Sequence, residues 1–199
     1  MTTIQPTAPD KLWTPANIVT LIRICLVPVF VLAILSPWPE WVGLPGITME
    51  AKCVIAAGIF ILISCTDWID GYLARSRGEV TDFGKFMDPL ADKLLVMSAM
   101  AWFVQAGWMA AWAFFLVIAR ELAVTGLRLV AVEQGRVIAA AKSGKVKTAS
   151  TMVCICLMLL LSNAATLRLV CVWIILLTTI YSGVEYFIKN RDVLANGEM

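Results

Sequence analysis

The 199-residue chain contains no histidine. That absence excludes His-ligated metal centres, Ser-His and Cys-His nucleophiles, and histidine proton relays. Charge is scarce as well. Asp, Glu, Lys and Arg make up 15% of the residues, against about 25% in soluble domains. The net charge of +2 is too small to suggest a nucleic-acid partner. Cys25, Cys53, Cys65, Cys154, Cys156 and Cys171 all lie in apolar runs, and no pair has the Cys-x-x-Cys spacing of a zinc or redox site. They read as small buried hydrophobes. Residues 1–13 lack the charged-then-apolar build of a signal peptide, and no internal repeat or low-complexity tract is present.

What the chain does have is apolar length. Hydrophobic residues make up 60% of it, in runs near the ~20 residues that a bilayer requires. The pattern predicts an all-α, polytopic membrane protein with six spans, near 17–36, 50–74, 83–105, 109–130, 146–163 and 166–188. Residues 17–188 then form one membrane domain, between an N-terminal tail (1–16) and a C-terminal tail (189–199). The first and third connections carry no Lys or Arg. The second holds Arg75, Arg77 and Lys85, and the fourth holds Arg136, Lys142 and Lys145. This alternation predicts both termini in the cytoplasm, with the second connection on the same side. The stretch from Trp102 to Trp112 suits an aromatic belt at the opposite surface, or an interface between two copies.

Against that apolar background, four carboxylates stand out. Asp67, Asp70, Gly71 and Ala74 are spaced i, i+3, i+4 and i+7; Gly84, Asp88 and Asp92 are spaced i, i+4 and i+8. Each set lies on one face of a helix. An eight-residue gap between Arg75 and Gly84 lets the second helix return beside the first. Taken alone, Asp88 before Pro89 also suits a helix N-cap. Four convergent carboxylates in a low-dielectric site repel one another unless cations separate them. An oxygen-only donor set selects hard divalent ions such as Mg²⁺, Mn²⁺ or Ca²⁺, and two of them would form a clamp for displacement at phosphorus. Gly71 and Ala74 leave room beside the backbone, and Arg75 offers a planar fork to phosphate oxygens. The combination reads as a site for a nucleotide diphosphate.

The pattern Asp67-x-x-Asp70-Gly71-x-x-Ala74-Arg75, eight residues, Gly84-x-x-x-Asp88-x-x-x-Asp92 resembles the signature of the CDP-alcohol phosphotransferases at every specified position. Asn17-x-x-Thr20-x-x-Arg23 looks like that family's first-helix motif. The resemblance implies a six-helix membrane enzyme with a polar cavity facing the cytoplasm. It implies two divalent cations, Mg²⁺ or Mn²⁺, held by Asp67, Asp70, Asp88 and Asp92 across the pyrophosphate of CDP-diacylglycerol. Gly71, Ala74, Arg75 and Gly84 would hold the CMP moiety, with Asn17 and Thr20 nearby. Asp92 would act as the general base, with Asp88 beside it in the catalytic pair. A homodimer in the bacterial cytoplasmic membrane is implied too.

Within the family, IARELAVTGLR (118–128) and KSGKVKT (142–148) resemble the branch that uses glycerol 3-phosphate as acceptor. Its phosphate dianion needs cations, and Arg120, Arg128, Lys142, Lys145 and Lys147 supply a basic cluster near the fourth and fifth helices. Arg120 and Arg128, two turns apart, read as one face, with Glu121 able to pair with a cation or orient a base. Part of the cluster, Lys145 included, also suits ordinary cytoplasmic positive charge. The aspartate motif would be shared by branches whose acceptor is inositol phosphate, serine or phosphatidylglycerol. A reading from another class, a divalent-cation transporter, would want its carboxylates near mid-membrane in broken helices rather than at one edge.

Overall fold

The computed structural model describes residues 15–35, 46–77, 82–135, 138 and 141–195; for 15–17, 19, 67–77, 82–86, 88, 133, 194 and 195 it describes the backbone alone. Every regular element among the described residues is a helix. They are α1 (Pro15–Leu35), α2 (Met49–Arg77), α3 (Asp82–Gln105), α4 (Ala111–Glu133), α5 (Lys142–Leu160), α6 (Ala165–Lys189) and the short α7 (Arg191–Ala195). The six long helices coincide with the six apolar runs to within four residues at each end. α5 begins earlier than hydropathy suggests, because Lys142, Ser143, Gly144 and Lys145 form a polar first turn.

The chain divides into two compact units, Met1–Val96 and Met97–Met199. In the first, α1 packs against α2. The buried positions of α1 are Thr20, Arg23, Val27, Phe30 and Ile34, a three-four repeat that keeps one narrow stripe turned inward. α2 answers with Cys53, Ala56, Ala57, Phe60 and Ile63. Its two alanines let the backbones approach closely, and Phe30 tilts against Phe60 with ring centroids 5.8 Å apart. Pro28 lies inside α1 but on its exposed side.

In the second unit, α5 and α6 form a helical hairpin, α6 also packs on α4, and α7 docks against α4. α5 buries Cys154, Ile155, Met158 and Leu159, and α6 buries Cys171, Val172, Ile175 and Leu176. At the far end of α4, Val124, Leu127 and Ala131 cluster with Tyr186 and Val193. Gly135 ends α4 with φ +71°, a left-handed turn that only glycine adopts without strain. Its N–H reaches back to the Val132 carbonyl at 2.9 Å.

Polarity is distributed as lipid requires. Arg23, Lys147, Thr151, Thr179 and Ser182 are buried, whereas Leu62, Phe115, Leu122, Leu129, Leu177 and Ile188 are among the most exposed side chains. A water-soluble protein shows the reverse. Among the described residues, three helices are long and apolar enough to cross a bilayer: Met49–Thr66 within α2, Lys142–Leu160 and Ala165–Lys189. α4 matches them in length but carries Arg120, Glu121 and Arg128. The chain is a helical membrane protein.

The α3–α4 turn is organised by aromatics. Trp102 is buried and meets Trp108 edge-on at 4.8 Å, while Phe103 stacks on Trp108 at 5.6 Å. The Arg168 guanidinium lies 4.6 Å from the Trp108 ring centroid and donates to the Ser162 carbonyl at 2.8 Å. Of the tryptophans at 102, 108 and 112, Trp112 is the exposed one. Arg168→Met is expected to lower stability by about 1 kcal/mol, the scale of one cation–π contact. Arg168→Lys should retain part of that. Both are read as shifts of the unfolding midpoint in detergent, and an unshifted Arg168→Met would show the contact to be idle.

Candidate active site

α2 runs unbroken to Arg77, so residues 67, 70, 71 and 74 occupy one face of a continuous helix. Residues 84, 88 and 92 do the same on α3. Both helices extend into the motif's eight-residue gap, α2 as far as Arg77 and α3 from Asp82 onward. α3 begins at Asp82, which places Asp88 inside the helix and not at its N-cap; Pro89 is internal as well. The proline ring cannot donate to the carbonyl four residues earlier, so the helix crosses this position one hydrogen bond short. The side chains of Asn17, Asp67, Asp70, Gly71, Ala74, Arg75, Gly84 and Asp88 lie outside the described residues.

Asp92 is described, and it has a partner that spacing did not single out. Its Oδ1 lies 3.5 Å from Arg23 Nη1; the Arg23 side chain is fully buried and that of Asp92 is 34% exposed. Thr20 and Arg23, one turn apart on α1, are both buried. The first-helix motif is thus joined through its arginine to the last aspartate of the main motif. An arginine in the middle of a 21-residue apolar helix was the available signal.

No group of three or more His, Cys, Asp or Glu side chains converges among the described residues. The donor set on the two helices is oxygen-only, with each pair of carboxylates on one helix face. That chemistry fits a hard divalent cation.

The basic cluster separates by depth. Arg120 Nη1 donates to Glu121 Oε1 at 3.0 Å, and Lys147 Nζ pairs with the same oxygen. The side chains of Arg120, Glu121 and Lys147 are 11%, 14% and 7% exposed. Two cations on α4 and α5 thus share one carboxylate in a poorly hydrated place. α6 supplies two further contacts. Arg120 Nη2 donates to Ser182 Oγ at 2.9 Å, and Arg128 Nε donates to Tyr186 Oη at 2.8 Å. Arg128 also lies 5.4 Å from the Tyr186 ring centroid.

Arg128, Lys142 and Lys145 are exposed. Eight residues turn a helix about 80° past two full turns. Arg128 is therefore rotated from Arg120, yet both reach α6. Ser182 and Tyr186 carry no charge and sit in an apolar helix, and nothing in their spacing marks them as partners of arginines some sixty positions earlier (sequence separations of 62 and 58).

Comparison with known proteins agrees with the motif. The family described as CDP-alcohol phosphatidyltransferase matches residues 13–181. A Bacillus subtilis protein named CDP-diacylglycerol--glycerol-3-phosphate 3-phosphatidyltransferase is 42% identical over 187 residues, covering 89% of this chain and 95% of that protein. A Mycobacterium tuberculosis protein named as a probable phosphatidylglycerophosphate synthase is 40% identical over 181 residues, covering 89% and 82%. A Treponema pallidum relative bearing the first of these names is 34% identical over 143 residues, covering 71% and 66%. With the signature carried on two continuous helices and a family match across most of its length, the chain belongs to the CDP-alcohol phosphatidyltransferase family.

Proposed function

We propose that the protein transfers the phosphatidyl group of CDP-diacylglycerol to the 1-hydroxyl of sn-glycerol 3-phosphate, giving phosphatidylglycerophosphate and CMP in phospholipid biosynthesis. The observation that carries this reading is the activity named for relatives 42% and 40% identical over most of the chain. The largely buried guanidinium of Arg120 and ammonium of Lys147, brought together at Glu121, support an anionic acceptor.

Asp67, Asp70, Asp88 and Asp92 would hold two divalent cations, Mg²⁺ or Mn²⁺. When bound, these neutralise pyrophosphate charge and make a nearby hydroxyl more acidic. Gly71, Ala74, Arg75 and Gly84 would receive the CMP moiety, with Asn17 and Thr20 close by. Asp92 takes the proton of the acceptor hydroxyl as its oxygen forms a bond to the phosphatidyl phosphorus. The bond from that phosphorus to the bridging oxygen breaks, and CMP leaves with the electron pair. Arg23 fixes the Asp92 carboxylate through their ion pair. Arg120 and Lys147 would bind the acceptor phosphate, with Arg128, Lys142 and Lys145 drawing it in from water. Positioning and charge neutralisation supply most of the acceleration.

All six long helices are assigned as membrane spans, as one domain flanked by the tails 1–16 and 189–199. Both termini and the reaction centre face the cytoplasm of a bacterium, and the working form is a homodimer. The positive-inside distribution of Lys and Arg supports this orientation.

The test offers purified protein CDP-diacylglycerol with glycerol 3-phosphate, inositol phosphate, serine and phosphatidylglycerol in competition, with Mg²⁺ or Mn²⁺. Phosphatidylglycerophosphate should be the main lipid product, with CMP released in equal amount. Preference for inositol phosphate would overturn the acceptor while leaving the metal-dependent chemistry in place.

A further inference from the structure

We propose that α6 positions the acceptor-binding arginines: Ser182, Gly183 and Tyr186 form a neutral cradle that fixes the Arg120 and Arg128 guanidiniums for an incoming phosphate. This rests on the reading of Arg120 as a partner of the acceptor phosphate.

The cradle is built from groups that orient without neutralising. Ser182 is buried, and its hydroxyl donates to the Thr179 carbonyl at 3.2 Å. Its one hydrogen is thus committed, which turns a lone pair to Arg120 Nη2 at 2.9 Å. Glu121 holds Nη1 at 3.0 Å. With both terminal nitrogens held from different helices, the plane of the guanidinium is fixed. Its Nε is buried and has no hydrogen-bond partner, a donor left available in a place where buried donors are normally matched.

Gly183 completes the fit. A Cβ there would lie 3.2 Å from Arg120 Cγ and 3.9 Å from Nε, so a methyl group would press on the arginine stem. One turn along, Tyr186 is buried and accepts from Arg128 Nε at 2.8 Å. Ser182, Gly183 and Tyr186 share the α6 face that meets α4. A carboxylate in any of these places would cancel charge that the acceptor phosphate needs; a hydroxyl, a gap and a phenol do not.

Ser182→Ala, Gly183→Ala and Tyr186→Phe, each in the full chain, are compared with the parent by steady-state kinetics and thermal unfolding. A misplaced arginine weakens substrate positioning. Ser182→Ala and Gly183→Ala are therefore expected to raise KM for glycerol 3-phosphate roughly 5- to 10-fold, and Tyr186→Phe roughly 3-fold. KM for CDP-diacylglycerol should stay at the parent value. An unchanged acceptor KM in folded Ser182→Ala and Gly183→Ala overturns the proposal. So does a parallel rise in both KM values with lost stability, the mark of a purely structural role. Arg120→Gln separates the two levels. If it raises the acceptor KM and the α6 variants do not, positioning by α6 is wrong; if it leaves that KM unchanged, the reading of Arg120 itself fails.

Discussion

Asp92→Asn is expected to lower the turnover number by about 10³-fold, within the range that a general base contributes. The amide keeps the volume and one oxygen of the carboxylate but cannot take the proton of the attacking hydroxyl. It also removes an ionic partner of the buried Arg23, so rate is to be expressed per folded protein, with the unfolding midpoint measured alongside. The other three carboxylates should fail differently. Asp67→Asn is expected to raise the Mg²⁺ or Mn²⁺ concentration needed for half-maximal rate and to lower the maximum itself, because one charged donor is lost from an oxygen-only set. Chelation should stop turnover in the parent, and Mg²⁺ or Mn²⁺ should restore it. An Asp67→Asn enzyme with parental rate and parental metal dependence would sink the assignment of these residues to cation binding.

Glu121→Gln should be the most damaging substitution in the second unit for stability. Glu121 Oε1 is shared by Arg120 and Lys147, and none of the three side chains is more than 14% exposed. Neutralising the carboxylate removes the negative charge that Arg120 and Lys147 share, in a place with little water to replace it. Removing one member of a buried ion pair costs about 3–5 kcal/mol. The double variant Glu121→Gln/Lys147→Met removes one of the two cations as well and is expected to recover much of that loss without recovering acceptor binding. Unfolding midpoints in detergent, combined as a double-mutant cycle, give the coupling directly. Equal stability of Glu121→Gln and the parent would show that the shared carboxylate is not what holds α4 to α5.

Arg120 illustrates how far each level of description reaches. As a guanidinium inside an apolar run it is conspicuous in the sequence, since a charge in a membrane helix is costly unless matched. Its partners are a different matter. Glu121 is its neighbour in the chain, but Lys147 comes to the same oxygen from 26 residues beyond Glu121, and Ser182 from 62 residues beyond Arg120. Arg23 repeats the pattern: its burial on the α1 stripe follows from helical period, whereas its contact with Asp92 joins α1 to α3. Asp88 shows the converse limit. Its place before a proline suggested a cap, yet the helix starts at Asp82 and runs through Pro89, because neighbouring structure overrides a local breaking signal.

The six long helices and the register of the aspartates on α2 and α3 are legible in the chain's own pattern. Those follow from apolar run length and the 3.6-residue period, which are local properties of the chain. The tertiary structure alone decided which faces meet: Arg23 with Asp92, Lys147 with Glu121, and Arg120 and Arg128 with a neutral stripe on α6. In lipid, apolar faces gain little from choosing one helix over another, so partners are selected by close packing and a few buried hydrogen bonds. Those contacts span tens of residues and leave no periodic trace in the chain.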